Sequence, residues 1–163
     1  MELEQLSGKY QVRCLLEDDI DNILEVCLGN ELFYKYHPPM ADRQSILDDM
    51  NALPPDKGYE DKYYIGFYAD TELIAIMDLI LKFPNEETAY IGFFMMKSNY
   101  QGNNRGTQII QEALSYLKEL GFRQCRLGID KGNPQSEAFW TKNKFVKKPE
   151  TPDSPYIVME RLL

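Results

Sequence analysis

The sequence is poor in the groups on which metal and redox chemistry relies. It holds one histidine, His37, and three cysteines, Cys14, Cys27 and Cys125, with no C-x-x-C spacing among them. A lone imidazole lacks the partners that mark a catalytic constellation. Beside the aromatic run Phe33-Tyr34-Lys35-Tyr36 it could still line a pocket. An odd set of cysteines supports neither a disulfide framework nor a zinc site, so free, buried thiols and no metal are expected. Positive charge is also scarce: 18 Lys and Arg stand against 26 Asp and Glu, for a net charge of −8. Binding a phosphate backbone needs a basic footprint, which excludes nucleic acid as the expected partner; a negative field favours cationic molecules such as amines. No apolar run approaches the length of a membrane span, and the opening MELEQLSGKY has neither the basic start nor the apolar core of a signal peptide. A cytoplasmic protein away from membranes is expected.

Packing material is plentiful, with 44% hydrophobic residues, 8 Phe, 11 Tyr and 7 Met in 163 residues. This suits one domain over residues 1–163, and no repeat, low-complexity tract or linker interrupts it. Tyr10–Leu15 reads as a first strand. Leu16, Ile20, Ile23, Leu24 and Cys27 then share one helical face, with Glu17, Asp18 and Asp19 in the first turn and Gly29 at the end. A short helix, Glu31–Tyr36, stops before Pro38. A third, Asp42–Leu53, has Asp42 as its N-cap and Pro54 beyond it. After a polar loop, Pro55–Lys62, strands are expected at Tyr63–Ala69 and Leu73–Phe83, joined through Asp70-Thr71-Glu72. Later come a strand at Gln124–Ile129, a helix opening at Asn133-Pro134, a loop at Pro149–Pro155 and a last strand at Tyr156–Glu160.

Thr88 to Leu120 organises the rest. Ala89–Met96 is nearly unbroken apolar sequence, which suits a strand covered on both faces. A polar loop, Lys97–Gly106, follows, and Ile109, Ile110, Ala113, Leu114, Leu117 and Leu120 then recur at helical spacing up to a left-handed cap at Gly121. Strand, glycine loop and helix aim backbone N–H groups and the positive helix end at one point, an anion site. Gly102 and Gly106 do not give G-x-G-x-x-G, and no lysine follows Gly106 as a P-loop would require. This disfavours a generic nucleotide binder.

The pattern Q/R-x-x-G-x-G/A does fit, read as Gln101, Asn104 and Gly106. SNYQGNNRGTQIIQEAL resembles motif A of the GCN5-related N-acetyltransferases, the GNAT superfamily, and NPQSEAFWTKNKF (Asn133–Phe145) looks like motif B. The element order agrees along nearly the whole chain. The resemblance implies an α/β (α+β) fold of the GNAT acyl-CoA N-acyltransferase type, a mixed sheet of roughly six or seven strands with four main helices. It also implies acetyl-coenzyme A as co-substrate and a small-molecule or peptide amine as acceptor, attacked directly in a ternary complex. The diphosphate would lie on Gln101, Gly102, Asn103, Asn104, Arg105, Gly106 and Thr107. The pantetheine arm would lie along the main chain of Phe94, Met95 and Met96 and against Asn133. Asn104 replaces the usual glycine, and asparagine tolerates the left-handed backbone required there.

The resemblance leaves the acid and base open. Trp140 stands where many members carry the tyrosine that protonates the departing thiolate, and Lys144-Phe145 replaces Gly-Phe. An indole N–H only donates hydrogen bonds and is no acid near neutral pH. Water, the ammonium product or a tyrosine elsewhere would then serve. A base is needed because an alkyl ammonium, with a pKa of about 10, must lose a proton before attack. The candidates are Glu87 at the start of the central strand, Tyr90 within it, and Asp78, an ionisable group inside apolar LIAIMDLIL. The missing tyrosine also motivates an alternative, a catalytically silent coenzyme A-binding sensor or scaffold. Monomer and homodimer are both open.

Overall fold

A computed structural model describes residues 1–163. Seven strands form one sheet: β1 Gln11–Cys14, β2 Lys62–Ala69, β3 Glu72–Ile80, β4 Thr88–Met96, β5 Gln124–Asp130, β6 Val146–Lys147 and β7 Tyr156–Leu162. Their spatial order is β1-β2-β3-β4-β5-β7-β6. Every neighbouring pair is antiparallel except β4–β5. The helices are α1 Ile20–Leu28, α2 Glu31–Tyr34, α3 Arg43–Asn51, α4 Arg105–Glu119 and α5 Pro134–Lys142. None is long and apolar enough to cross a membrane.

The sheet divides the core in two. On one face Ile109, Ile110, Ala113, Leu114 and Leu117 of α4 pack with Ile65, Phe67, Met77 and Ile91 of the strands. On the other, Ile20, Ile23 and Val26 of α1 and Ile46 of α3 meet Tyr64, Tyr68, Ile76 and Met95. Burying each such aliphatic side chain contributes about 1.5–3 kcal/mol. The central β3 is consequently buried on both faces from Leu73 to Ile80.

Caps and turns follow local chemistry. Asp42 accepts the Ser45 N–H at 2.8 Å, and the Ser45 hydroxyl receives the Asp42 N–H at 3.0 Å, so α3 opens on a reciprocal box. Gly121 ends α4 at φ 95°, a left-handed position that glycine adopts without steric cost. Several boundaries differ from expectation. Glu17–Asp19 form a separate 3-10 turn ahead of α1, and α2 stops at Tyr34. The β2–β3 turn has two residues, Asp70 and Thr71, because Ala69 pairs with Glu72. Strand β3 ends at Ile80, since Lys82 turns left-handed at φ 57°. The two-residue β6 was not expected; it is too short to carry a period. Strand β4 is covered at its ends only: Gly92 is exposed and Phe93 and Phe94 are half-buried.

Candidate active site

The break in β4 has a local cause. In its pairing with β3, Asp78 stands opposite Phe93 and Leu79 opposite Ile91, so Gly92 is an extra, bulged residue. A Cβ on Gly92 would lie 2.7 Å from Asp78 Oδ2, so only glycine leaves room for that carboxylate. Beyond the bulge β4 leaves its parallel neighbour. It pairs with β5 only from Thr88–Gln124 to Ile91–Leu127, while β5 continues along β7 to Asp130 and β4 along β3 to Met96. A wedge opens between them.

The ladder phase settles which main-chain groups face the wedge. The Lys97 N–H donates to Ile74 O at 2.8 Å. Alternate residues of an antiparallel strand exchange bonds with one neighbour, so Phe93, Met95 and Lys97 bond to β3 while Phe94 and Met96 turn outward. The Met96 carbonyl is already engaged: it accepts Asn30 Nδ2 at 3.0 Å and Gln101 Nε2 at 3.1 Å. The expectation of three free residues is thus narrowed to both main-chain groups of Phe94 and the Met96 N–H. The Met95 backbone belongs to the β3 ladder.

At the end of β4 the chain passes through Gly102, Asn103 and Asn104, all left-handed, with φ of 83°, 48° and 59°. Arg105 N–H closes back onto Gly102 O at 3.2 Å, but the N–H groups of Gly102, Asn103, Asn104, Gly106 and Thr107 donate to no protein acceptor. They sit at the positive end of the 15-residue α4, the arrangement that receives an anion. Lys142 of α5 adds a cation, its Nζ 2.6 Å from Asn104 Oδ1. Arg105 differs from expectation, since its guanidinium is held over the Tyr100 ring, 5.5 Å from the centroid, and lies outside the crevice lining. The Gln101 side chain is likewise turned inward, donating to Asn30 Oδ1 at 2.6 Å as well as to Met96 O.

These elements enclose a crevice of about 380 Å3, lined by Phe94, Met96, Asn104, Gly106, Thr107 and Phe139 among others. Phe139 stacks on Phe94 with ring centroids 5.8 Å apart and closes over Gly106, where a Cβ would stand 3.3 Å from its ring. Asn133 is buried at the start of α5, two and three residues before the lining residues Gln135 and Ser136. Its Oδ1 caps α5 by accepting the Ser136 N–H at 3.1 Å, and its Nδ2 has no partner. A buried donor left unsatisfied costs about 1–3 kcal/mol, which a ligand carbonyl could offset. Five free amides, a basic side chain and this unpaired donor fit the diphosphate and amide-bearing arm of acetyl-coenzyme A.

A second cavity, about 370 Å3, shares Phe33, Phe94, Ser136 and Trp140 with the first and runs under α2 and α3 toward β5. Asp78 and Tyr90 reach it; Glu87 does not. Glu87 lies at the surface, 3.1 Å from Arg123 Nε, and is corrected to a solvated charge of the β4 entrance. Burial raises the Asp78 carboxyl above its ordinary range, against the pull of Lys62, whose Nζ lies 2.8 and 2.9 Å from its two oxygens. Burial also raises the Tyr90 phenol, which packs edge-on to Phe83. Trp140 sits at the junction of the two cavities with its ring against Phe94, Phe139 and Phe145.

Several lining residues escaped the sequence reading. Gly92 carried a signal, a single glycine within an apolar strand, which often marks a bulge. Asn30, Lys142, Asp49 and Asp130 carried none, because each arrives from a distant element.

The geometry defines a crevice headed by unpaired backbone amides, suited to an anionic ligand, that adjoins a second, carboxylate-lined cavity. A sequence model of the Acetyltransferase (GNAT) family matches residues 23–145, and the chain belongs to that family. Its reaction is transfer of an acetyl group from acetyl-coenzyme A to an amine. Among curated proteins it is 26% identical over 162 residues to a spermidine N(1)-acetyltransferase of Thermoplasma acidophilum, covering 93% of this chain and 96% of that one. The fold matches a crystal structure of an acetyltransferase from Thermus thermophilus with TM-score 0.79 and 17% identity, over 95% and 97% of the two chains. It also matches the PaiA N-acetyltransferase of Thermoplasma acidophilum in complex with coenzyme A, with TM-score 0.69 and 21% identity over 94% and 99%.

Proposed function

We propose that this single-domain protein acetylates a small aliphatic amine, with polyamines the leading class, by direct attack of the amine on the bound thioester. The observation that carries this reading is the continuity of the two cavities. The free amides heading α4 open into a crevice that passes Phe94 and Trp140 into an acceptor cavity lined by Asp49, Asp78 and Asp130. A carboxylate-lined cavity attracts cationic amines, and the similarity to a spermidine acetyltransferase points to the same class.

In this reading the amides of Gly102, Asn103, Asn104, Gly106 and Thr107 hold the diphosphate, and Asn133 Nδ2 takes a carbonyl of the arm. The Phe94 carbonyl and the Met96 N–H pair with the arm as an added strand would, and the Phe94 N–H polarises the thioester carbonyl. The ammonium passes a proton through water to the Asp78 carboxylate; the Tyr90 phenol, kept protonated by burial, takes none. The free nitrogen then attacks the carbonyl carbon, the C–S bond breaks, the nitrogen sheds its second proton to give the amide, and the thiolate is protonated by solvent. Trp140 packs and supplies no proton. Dependence on acetyl-coenzyme A, an intracellular metabolite, supports a cytoplasmic setting, and the charge of −8 argues against nucleic acid.

Thiol release from acetyl-coenzyme A over a panel of polyamines, monoamines, amino acids and peptides tests this. Turnover with cationic aliphatic amines is expected. Tight coenzyme A binding without turnover on any amine would make the protein a silent binding module. Two variants refine it. Trp140→Phe should lose none of the roughly 10²–10⁴-fold that a general acid contributes, although its melting temperature should fall; a collapse of kcat in a folded variant would return Trp140 to the chemistry. Glu87→Gln should leave kcat and its pH profile unchanged, and loss of the acidic limb with a fall in kcat would restore Glu87 as the base.

A further inference from the structure

The three carboxylates of the acceptor cavity are not equivalent. Asp78 is held by the Lys62 ammonium at 2.8 Å. Asp130 lies 3.0 Å from His37 Nδ1. Asp49 has no side-chain hydrogen bond and no ion pair, yet it lines the cavity. Its placement follows from the phase of α3: Ser45, Asp49 and Ala52 line the cavity together, and positions i, i+4 and i+7 share one helical face. The adjacent Asp48 points the other way and accepts Gln44 Nε2 at 2.8 Å. Asp49 reaches water at the cavity mouth, but protein crowds it, and this desolvation raises its carboxyl above the ordinary range. His37 and Lys62 oppose the rise through space without contact, while Asp48 adds to it.

An exposed, unpaired carboxylate at the mouth of a cavity is open to a cation that enters it. The protein supplies none, whereas both other acids in the cavity have partners. This rests on the amine-transfer reading above and narrows it. We infer that Asp49 is a specificity residue: it binds a second ammonium of the acceptor, remote from the nitrogen that is acetylated, and thereby selects diamines and polyamines over monoamines. The reacting nitrogen lies near Phe94, where the two cavities meet, and the second cation lies under α3. Asp49 touches substrate without taking part in bond making.

The test compares Asp49→Asn, nearly isosteric, with the wild type on spermidine, 1,4-diaminobutane and butylamine. For the two polycationic acceptors kcat/KM should fall about 10- to 100-fold, the loss of one charge-assisted contact. The loss should appear in KM with kcat little changed. Butylamine kinetics and coenzyme A affinity should not move, and Asp49→Glu should recover part of the loss. Equal losses on butylamine and the diamines would overturn the proposal in favour of a role at the reacting nitrogen; no loss on any acceptor would also overturn it. Titration calorimetry of spermidine into the coenzyme A complex separates the two levels. Binding that disappears in Asp49→Asn, without turnover in the wild type, would sink the transfer reading and keep the anchor. Absence of any spermidine binding to the wild-type complex would sink the anchor itself.

Discussion

Gly106→Trp is expected to abolish coenzyme A binding while the domain stays folded. Gly106 lies in the first turn of α4 and forms the floor of the crevice, with Met96 Cγ and the Phe139 ring 3.5 and 3.3 Å from where a Cβ would stand. Its φ is not left-handed, so a side chain brings no backbone strain, and an indole there projects into the space the diphosphate needs. Binding should weaken at least about 100-fold, or roughly 2.7 kcal/mol. Gly106→Ala provides the graded control. One methyl meets Phe139 at a tight but adjustable distance, and alanine favours the helix by about 1 kcal/mol over glycine. Its affinity loss should be much smaller, and its melting temperature should equal or exceed the wild type's. Equilibrium titration with coenzyme A beside thermal unfolding reads both. Unchanged affinity in a folded Gly106→Trp protein would show that the cofactor does not approach this backbone.

Lys62→Met is expected to be the most destabilising single change at the acceptor side. The Lys62 side chain is 3% exposed and makes two charge-assisted bonds to Asp78, itself almost buried. Removing the ammonium leaves a buried carboxylate uncompensated, at a cost of about 3–5 kcal/mol. The pH dependence identifies the cause. Burial already raises the folded-state pKa of Asp78 above its ordinary value, and loss of Lys62 removes the opposing pull. A carboxyl whose pKa is higher folded than unfolded penalises the native state above that pKa, and the penalty is relieved as pH falls through it. Lys62→Met should therefore regain stability on acidification, more than the wild type does. The double variant Lys62→Met/Asp78→Leu, which removes both charges, should recover much of the loss at neutral pH in denaturant unfolding. A double variant as unstable as the single one would mean that packing of the lysine stem, not charge, holds this corner.

Asn30 shows how the loop and the sheet are joined. Its amide donates to Val26 O at 2.8 Å and Met96 O at 3.0 Å, while its Oδ1 receives Gln101 Nε2 at 2.6 Å. The corner between α1 and α2 is thereby tied to the end of β4 and to the loop before α4. Gln101 was legible as the first letter of a motif, and the resemblance implied contact with the diphosphate. Its amide instead closes this internal junction, and the unpaired donors of the loop are main-chain groups further along.

What the sequence determined by itself was the order of elements and the place of the glycine-bearing loop that leads into α4. Apolar periodicity, the caps at Asp42 and Asn133, the left-handed positions at Asn104 and Gly121 and the breaks at prolines all act within a few residues. The chain commits to them locally, so they can be read locally. Tertiary structure alone decided where β4 leaves β5, which amides stay unpaired, and which acid among Glu87, Asp78 and Tyr90 reaches the acceptor cavity. Those outcomes depend on register between segments far apart in the chain, such as Asp78 against Phe93 and Thr88 beside Gln124. A shift of one residue would turn every side chain to the other face. No local pattern encodes that choice; it is made by the side chains that must share a single buried sheet.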